Sequence, residues 1–129
     1  MAVLVDTDVL VDLERSADSS RWQALREPVA ISVVTMSELL QGVARGDESR
    51  RAGRRAFVEG LFEVFDAIPV TAPVARIRAD LWADLAARGE AIGSNDLWIA
   101  ATAITHGFGL ATRNSAEFGR VPGLRLVAV

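Results

Sequence analysis

The sequence contains no cysteine, no lysine and only one histidine. Without cysteine, a disulfide, a thiolate metal site and a cysteine nucleophile are all excluded. Without lysine, the chain lacks the cation that phosphate-transferring aspartate enzymes and receiver domains place near the phosphoryl group. His106 stands at a predicted helix end before Gly107, where a role beside the helix dipole is favoured over general-base catalysis. Any chemistry must therefore rely mainly on carboxylate, amide and hydroxyl oxygens.

Signals for export and for membrane insertion are also missing. The N-terminal run MAVLVDTD has no basic flank, so we do not interpret it as a secretory signal. No apolar stretch approaches the roughly 18 to 20 residues that span a bilayer. The 129 residues, half of them hydrophobic, suffice for one core. We therefore expect a single cytoplasmic domain over residues 1–129.

Positive charge is scarce overall but locally concentrated. The formal net charge is −3, whereas proteins that bind nucleic acids usually present a basic surface. All 14 basic residues are arginine, and four of them form one cluster: Arg50, Arg51, Arg54 and Arg55. The cluster fits a solvated helix face, and it equally fits a patch that contacts an RNA backbone or a protein partner. Both interpretations stay open at this point.

Short β-like runs alternate with longer helical patterns along the whole chain. This alternation predicts an α/β fold with three layers, in which a mostly parallel central sheet of about five strands is flanked by helices. The predicted strands are Val3 to Asp6, Val29 to Val33, Ala67 to Val70, Gly109 to Thr112 and Leu124 to Val127.

Hydrophobic residues at helical spacing mark the helices between these strands. The predicted core-facing stripes are Met36, Leu39, Leu40 and Val43; Phe57, Leu61, Val64 and Phe65 in a helix from about Arg51 to Phe65; and Val74, Ile77, Leu81 and Leu85. The nearly apolar segment from Asp96 to Thr105 predicts a buried helix. We interpret the three tryptophans as packing residues in preference to base-stacking platforms: Trp22, Trp82 and Trp98.

Several acidic or amide side chains follow predicted strands or begin predicted helices. They are Asp6, Asp8, Glu38, Asp96, Asn114 and Glu117. In open α/β sheets the functional crevice lies beyond the carboxyl ends of the strands, where such loops converge. We therefore expect these side chains to be able to meet at one edge of the sheet.

Three of the acids also have a purely local interpretation. The run from Thr35 to Glu38 matches a capping box, in which Glu38 would reach back to the start of its helix. Asp8 could cap the helix that follows it, and Asp96 could complement the dipole of a helix capped by Ser94. Asp6 is harder to explain locally, because a carboxylate that closes a buried strand needs a partner.

Converging carboxylates would repel one another. Two unit charges about 4 Å apart cost roughly 4 kcal/mol at an effective dielectric constant of 20. A hard divalent cation relieves this repulsion, and oxygen ligands without thiolate or histidine favour Mg²⁺ or Mn²⁺ over Zn²⁺. Such an ion can activate water and stabilise the charge that develops on a phosphodiester, and a second ion about 3.5 to 4 Å away can share that role.

Four segments together resemble the successive motifs of PIN-domain ribonucleases, in particular the VapC toxins of bacterial toxin-antitoxin pairs. They are LVDTDVLVD around Asp6, TMSELLQG around Glu38, NDLWIAATAITHG around Asp96, and ATRNSAEF near the end of the sequence. The resemblance runs through nearly the entire chain, and it lies in the order and spacing of the motifs more than in any single one.

The resemblance implies an endoribonuclease that depends on Mg²⁺ or Mn²⁺, is usually a homodimer, and is held inactive by a VapB-type antitoxin. Asp6, Glu38 and Asp96 match the family's first three acidic positions, so they are the implied catalytic and metal-binding residues. Asn114 falls where the family often has a fourth acid. One or two metal ions are therefore compatible with the pattern, since the Asn114 amide oxygen could still ligate and Glu117 could substitute.

The neighbours of these positions are implied to support them. Thr7, Asp8 and Thr112 would hydrogen-bond to the ligands, and Arg113 would hold a phosphate. On this interpretation, water oriented by Asp96 and Asp6 attacks an RNA phosphodiester while Glu38 completes the coordination. Two alternatives stay open: a PIN-like module weakened by Asn114 that binds RNA or a protein partner without cutting, and a metal-dependent phosphatase, which the missing lysine disfavours.

Overall fold

The computed structural model describes residues 2–16, 20 and 25–129. Its strands are β1 (Val3–Val5), β2 (Val29–Ser32), β3 (Asp66–Ile68), β4 (Gly109–Ala111) and β5 (Leu126–Val127). They form one sheet in the order β3-β2-β1-β4-β5, in which every neighbouring pair is parallel. Each predicted strand is present but is shorter than predicted by one or two residues, and β3 begins one residue earlier.

Helices connect the strands and cover both faces of the sheet. Those in the described part of the chain are α1 (Thr7–Ser16), α2 (Val33–Arg45), α3 (Glu48–Val64), α4 (Ala72–Ala87), α5 (Ser94–His106) and α6 (Ser115–Phe118). None of them combines the length and the apolarity that crossing a bilayer demands. The predicted fold class, a parallel sheet between helical layers, is confirmed.

The central strand β1 explains why two helical layers form. Its residues Val3, Leu4 and Val5 have no exposed surface, as expected for a parallel strand covered on both faces. Leu4 belongs to a core cluster with α4 and α5, whereas Val3 and Val5 belong to a second cluster with α1, α2 and α3. The two cores lie on opposite faces because successive side chains of a strand point to opposite sides.

The chain order across the sheet reverses at β1. After β1 the chain builds β2 and β3 on one side, and it then crosses to build β4 and β5 on the other side. Such a reversal opens a crevice at the carboxyl ends of the two strands that flank it. Here those strands are β1 and β4, which end at Val5 and Ala111, so Asp6 and Thr112 stand at the crevice.

The helical packing differs from the prediction in two places. Val64 is 74% exposed, so its predicted inward position is wrong. Helix α3 packs through Val58 and Leu61, and about 120° of helical rotation separates Val64 from Val58. In α2 the buried line is Thr35, Leu39 and Val43, with the predicted core residues Met36 and Leu40 half-buried beside it.

The two tryptophans in the described part of the chain differ in exposure. Trp98 packs against the core cluster of α4 and α5, in agreement with the prediction. Trp82 is 60% exposed, so its interpretation as a packing residue is wrong. It stands on α4 one residue beyond the buried Leu81, and the stripe Val74, Leu81 and Leu85 faces the core without it. Trp22 lies outside the described residues.

Candidate active site

A pocket of about 560 Å³ opens at the crevice between the ends of β1 and β4. Its lining residues come from the end of β1, from α1, α2 and α5, and from the loop between β4 and α6: Asp6, Thr7, Asp8, Val11, Asp12, Arg15, Glu38, Asp96, Arg113 and Asn114. Asp6, Glu38 and Asp96 therefore line one pocket although they are far apart in the sequence. Thr112 and Glu117 are not among the lining residues and contact them instead.

Asp6 is the most buried acid of the pocket, with 5% of its surface exposed. One carboxylate oxygen accepts from the backbone N–H of Thr7 at 2.8 Å, and the other accepts from the Thr112 hydroxyl at 2.8 Å. Burial raises the pKa of Asp6 to about 7, against the lowering effect of these hydrogen bonds, and the charges of Asp8 and Asp96 raise it further. In the described ranges, the buried charge thus has dipolar partners but no adjacent cation.

Glu38 is held in place by a contact with α1. Helix α2 begins directly after β2, because the Ser32 hydroxyl accepts from the backbone N–H of Val34 at 3.0 Å and caps the helix. Glu38 therefore lies in the second turn, and the capping-box interpretation is wrong. Its Oε1 accepts from the Thr7 hydroxyl at 2.9 Å, which turns the carboxylate towards the end of β1.

Asp96 is the third residue of α5 and faces its own group of negative charges. Burial raises its pKa to about 6, and the charges of Glu117 and Glu38 act in the same direction. The predicted Ser94 cap is wrong, because α5 begins at Ser94 and Gly93 stands in the capping position without a side-chain hydrogen bond. Asp96 lies in the first turn of α5, so the helix dipole still favours its charge.

Glu117 contacts Asp96 without lining the pocket. Its two carboxylate oxygens accept from the backbone N–H of Gly93 and from the side-chain amide of Asn114, each at 2.6 Å. These donors, the Gly93 N–H first, hold the pKa of Glu117 below its ordinary value. The hydrogen bond from Gly93 to Glu117 was not predicted from the sequence. The spacing of Asn114 and Glu117, one helical turn apart, was the only available signal for their pairing.

Asp8 does not cap α1. The start of α1 is closed by the Asp6 carbonyl, which accepts from the backbone N–H groups of Val9 and Leu10. One Asp8 oxygen accepts instead from the backbone N–H of Arg113 at 3.3 Å. The other oxygen is buried and has no hydrogen-bond partner among the described residues.

Arg113 lies at the pocket without neutralising its central acids. Its Nη2 contacts an oxygen of Asp12 at 2.7 Å, and its guanidinium is therefore paired at the rim. Arg113 was predicted near substrate, whereas Asp12 and Arg15 were not predicted as lining residues. Arg15 shares the face of α1 that carries Thr7, and Asp12 shares the face that carries Asp8, because residues four positions apart lie on one side of a helix.

The donor set suits a hard divalent cation. All central groups are oxygen donors, burial raises the pKa values of two of them, and Asp8 presents a buried oxygen without a partner. Within the described ranges, no three acidic or histidine side chains already converge closely enough to hold an ion. The carboxylates therefore share a pocket without closing onto a common centre.

Comparisons with known proteins agree with this geometry. The family model of the PIN domain matches residues 3–124. Ribonuclease VapC1 of Rickettsia felis is 35% identical over 130 residues, which cover 100% of this chain and 97% of that protein. The tRNA(fMet)-specific endonuclease VapC of Shigella flexneri is 30% identical over 125 residues, which cover 95% and 93% of the two chains.

Solved structures give the same relationship in three dimensions. A chain in the crystal structure of VapBC2 from Rickettsia felis, bound to a DNA fragment from their promoter, superposes with a TM-score of 0.92. It is 26% identical in sequence, and the match covers 100% of this chain and 99% of that one. A chain of the VapBC-5 toxin-antitoxin structure from Mycobacterium tuberculosis matches with a TM-score of 0.79 and 29% identity, over 99% and 97% of the two chains.

Proposed function

This chain belongs to the PIN domain family and, within it, to the VapC ribonucleases, and from that premise we propose that it is an endoribonuclease and the toxin of a type II toxin-antitoxin pair. The observation that carries the proposal is the single pocket lined by Asp6, Glu38 and Asp96 at the crevice between β1 and β4. We propose that residues 1–129 form one nuclease domain.

The proposed cofactor is Mg²⁺ or Mn²⁺. Asp6, Glu38 and Asp96 are the proposed ligands, and Asn114 is a weaker candidate because its amide nitrogen is already turned to Glu117. When bound, such an ion supplies Lewis-acid stabilisation of charge on the phosphate and lowers the pKa of water. The family membership and the oxygen-only donor set support this assignment.

The remaining groups hold the proposed catalytic acids in position. Thr112 fixes one oxygen of Asp6, and Thr7 joins the backbone of α1 to both Asp6 and Glu38. Asp6 and Asp96 then face the pocket from opposite elements, β1 and α5, and can orient a water between them for in-line attack on an RNA phosphodiester. Support of this kind is commonly as important to a metal site as the ligands themselves.

We propose two protein partners from the relatives. The structural neighbours are VapBC toxin-antitoxin complexes, which supports a VapB-type antitoxin for this chain. A homodimer is proposed from the family alone. A cytoplasmic location stays a prediction from the sequence.

The test is cleavage of RNA by the purified protein. Circularised RNA of mixed sequence, which only an endonuclease can open, should be cut with Mg²⁺ or Mn²⁺ and left intact with a chelator. Asp96→Asn should reduce the rate by about 100-fold or more, because it removes a charge aimed at the reacting centre. The matched control is Asp80→Asn, an exposed acid on α4, which should cut at the wild-type rate.

The outcomes separate the proposed function from its alternatives. A folded Asp96→Asn protein that cuts at the wild-type rate would show the site assignment to be wrong. Binding of RNA without cleavage under every divalent ion would instead favour the non-catalytic binding module. Hydrolysis of small phosphate esters with no effect on RNA would favour the phosphatase.

A further inference from the structure

A second cavity lies beside the acidic pocket. It measures about 520 Å³ and is lined by residues of α1, of α3 and of the turn between α2 and α3: Glu14, Arg15, Gly46, Asp47, Arg50 and Arg54. Arg15 also lines the acidic pocket, so the two cavities meet at this side chain. We call the second cavity the arginine groove.

Arg54 forms the structural floor of the arginine groove. Its Nε contacts Glu14 of α1 at 3.1 Å, and its Nη1 donates to the carbonyl of Gly42 in α2 at 3.1 Å. Arg54 therefore ties three helices together. It also compensates the charge of Glu14, while the other acid of the groove, Asp47, caps α3 through the N–H of Ser49.

Among the other arginines in and near the groove, some side chains form a hydrogen bond or an ion pair and others do not. Arg51 donates to the Gly46 carbonyl at 3.2 Å, and Arg55 lies 3.9 Å from a glutamate one turn away. The guanidinium groups of Arg15 and Arg50 form no hydrogen bond or ion pair within the part of the chain that the structure describes. The groove is lined by three arginines and two acids, so its net charge is +1, and its unpaired guanidinium groups belong to these two exposed residues.

The groove continues the path of the acidic pocket along α1. Thr7, Val11 and Arg15 are spaced by four residues, so they share one face of the helix, and all three line the acidic pocket. At 1.5 Å per residue, Arg15 lies about 12 Å along the helix from Thr7. An anion beside Arg15 would therefore be a neighbour of the group being cleaved, and not that group itself.

Given the proposed cleavage of RNA, on which this inference rests, we propose that Arg15 and Arg50 form a subsite for a backbone phosphate of single-stranded RNA. This phosphate would lie next to the phosphodiester that is cut. A polyanion approaching the acidic pocket is repelled there, and two free guanidinium groups beside it offset that repulsion. Arginine also suits phosphate, since its planar fork can donate two hydrogen bonds to one oxyanion.

An RNA strand fits the groove better than an acidic protein segment does. Among the described residues, its lining includes no large apolar side chain, whereas the affinity of protein interfaces depends on a few buried, mostly aromatic or arginine anchors in packed pockets. The groove also adjoins the proposed catalytic pocket at Arg15, where a continuous strand would have to pass.

The test measures RNA affinity in the Asp96→Asn background, which prevents cleavage. The probe is fluorescently labelled, mixed-sequence single-stranded RNA, longer than the roughly 4 to 16 nucleotides that single-strand-binding sites cover. Arg15→Gln combined with Arg50→Gln should weaken binding about tenfold and lower the slope of log affinity against log salt by about 0.7, the contribution of one neutralised phosphate in single-stranded RNA. The loss should be smaller for an RNA dinucleotide.

The matched control combines Arg26→Gln with Arg76→Gln. It removes the same charge from two exposed arginines that line neither cavity. An equal loss of RNA affinity in this control would show that the effect comes from net charge alone. It would therefore overturn the proposed subsite. An unchanged affinity and salt slope in the Arg15 and Arg50 variant, with an unchanged melting temperature, would overturn it as well.

Two further outcomes separate this inference from the proposed function. If the wild-type protein neither binds nor cuts RNA with any divalent ion, the proposed function fails and the subsite fails with it. If the wild type cuts RNA but the Arg15 and Arg50 variant binds it as tightly, only the subsite fails. Loss of antitoxin binding with RNA affinity intact would reassign the groove to a protein partner.

Discussion

The two sides of the candidate active site treat negative charge in opposite ways. Asp6, at the end of β1, is buried among other acids, and its pKa is raised to about 7. Glu117, on α6, receives N–H donors on both carboxylate oxygens, and its pKa is lowered. The protein satisfies the charge of Glu117 with its own dipoles, but it leaves the Asp6 side in need of a cation. This difference indicates where an ion should act.

Removal of the charge of Asp6 should give the largest effect in a test of this difference between Asp6 and Glu117. Saturation with Mn²⁺ at 100 times its dissociation constant should stabilise the wild type by about 2.7 kcal/mol, because only the folded state gathers the ligands. Asp6→Asn should lose most of that stabilisation, whereas Glu117→Gln should retain more of it. Melting curves with and without Mn²⁺ measure both values, and equal losses in the two variants would contradict the division of the pocket.

The next largest effect should come from Thr112, which holds Asp6 without lining the pocket. Thr112→Val preserves the shape of the side chain and removes the hydroxyl that donates to Asp6 at 2.8 Å. Groups that orient ligands typically contribute 10- to 100-fold to metal affinity, and we expect a loss in that range. Titration calorimetry with Mn²⁺ is the measurement, and Thr105→Val on α5, remote from the pocket, is the control. An unchanged affinity would show that Asp6 is held by its backbone contacts alone.

The pH dependence of stability should carry opposite signs on the two sides. Between the ordinary value of 3.8 and about 7, Asp6 binds more protons in the folded than in the unfolded state, so the metal-free protein should lose stability as pH rises. The slope for one proton is at most about 1.4 kcal/mol per pH unit. Glu117 acts in the reverse sense, because its contribution is present above 4.5 and is lost as pH falls through its lowered pKa.

Denaturant unfolding with a chelator, from about pH 5 to pH 7, isolates the Asp6 side. Asp6→Asn should flatten the fall in stability over this range, leaving the smaller effect of Asp96, whose pKa of about 6 has the same sign. If Asp6→Asn kept the full wild-type slope of stability against pH, Asp6 would not be the source of that slope.

The smallest effect should come from Asn114. Asn114→Ala deletes the amide that donates to Glu117 at 2.6 Å, and it should cost about 1 kcal/mol of stability, the usual value of one hydrogen bond. The pKa of Glu117 should rise towards its ordinary value, which NMR titration of its side-chain carbon would follow. Asn95→Ala, an exposed amide at the start of α5, provides the control. A Glu117 pKa that does not move would remove Asn114 as a cause and leave the Gly93 N–H, with Asp96 and Arg120, to account for the lowering.

The sequence predicted the sheet because its strands are short, strongly apolar and separated by helices. It also led to the strand end and the helix starts that carry Asp6, Glu38 and Asp96, since the ends of parallel strands lie at one edge. It could not decide between local and distant partners for a polar side chain. Glu38 matched a capping box by spacing, and only the position of Ser32 as the true cap, together with a contact to Thr7 from another element, excludes that interpretation.

The arginine cluster illustrates the same limit. Four arginines within six positions look equivalent in sequence, yet Arg54 is bound to two other helices while Arg50, one turn earlier, is free among the described residues. Replacing all four together would therefore mix a structural loss with a functional one. The helical spacing of Phe57, Leu61 and Val64 similarly could not show which side of α3 meets the sheet, because all three positions carry apolar residues.

The pairing of β1 with β4 has a consequence for how the protein is made. Val3 pairs with Gly109 and Val5 with Ala111. The pairing of β1 with β4 therefore joins segments that lie more than a hundred residues apart in the sequence. Because a chain is synthesised from its N-terminus and late, long-range pairings close slowly, the Asp6 and Thr112 contact cannot exist on the ribosome until β4 has emerged. A chain whose translation stops early would carry most of the acids and still be unable to assemble the pocket, which spares the translating cell from a half-made toxin.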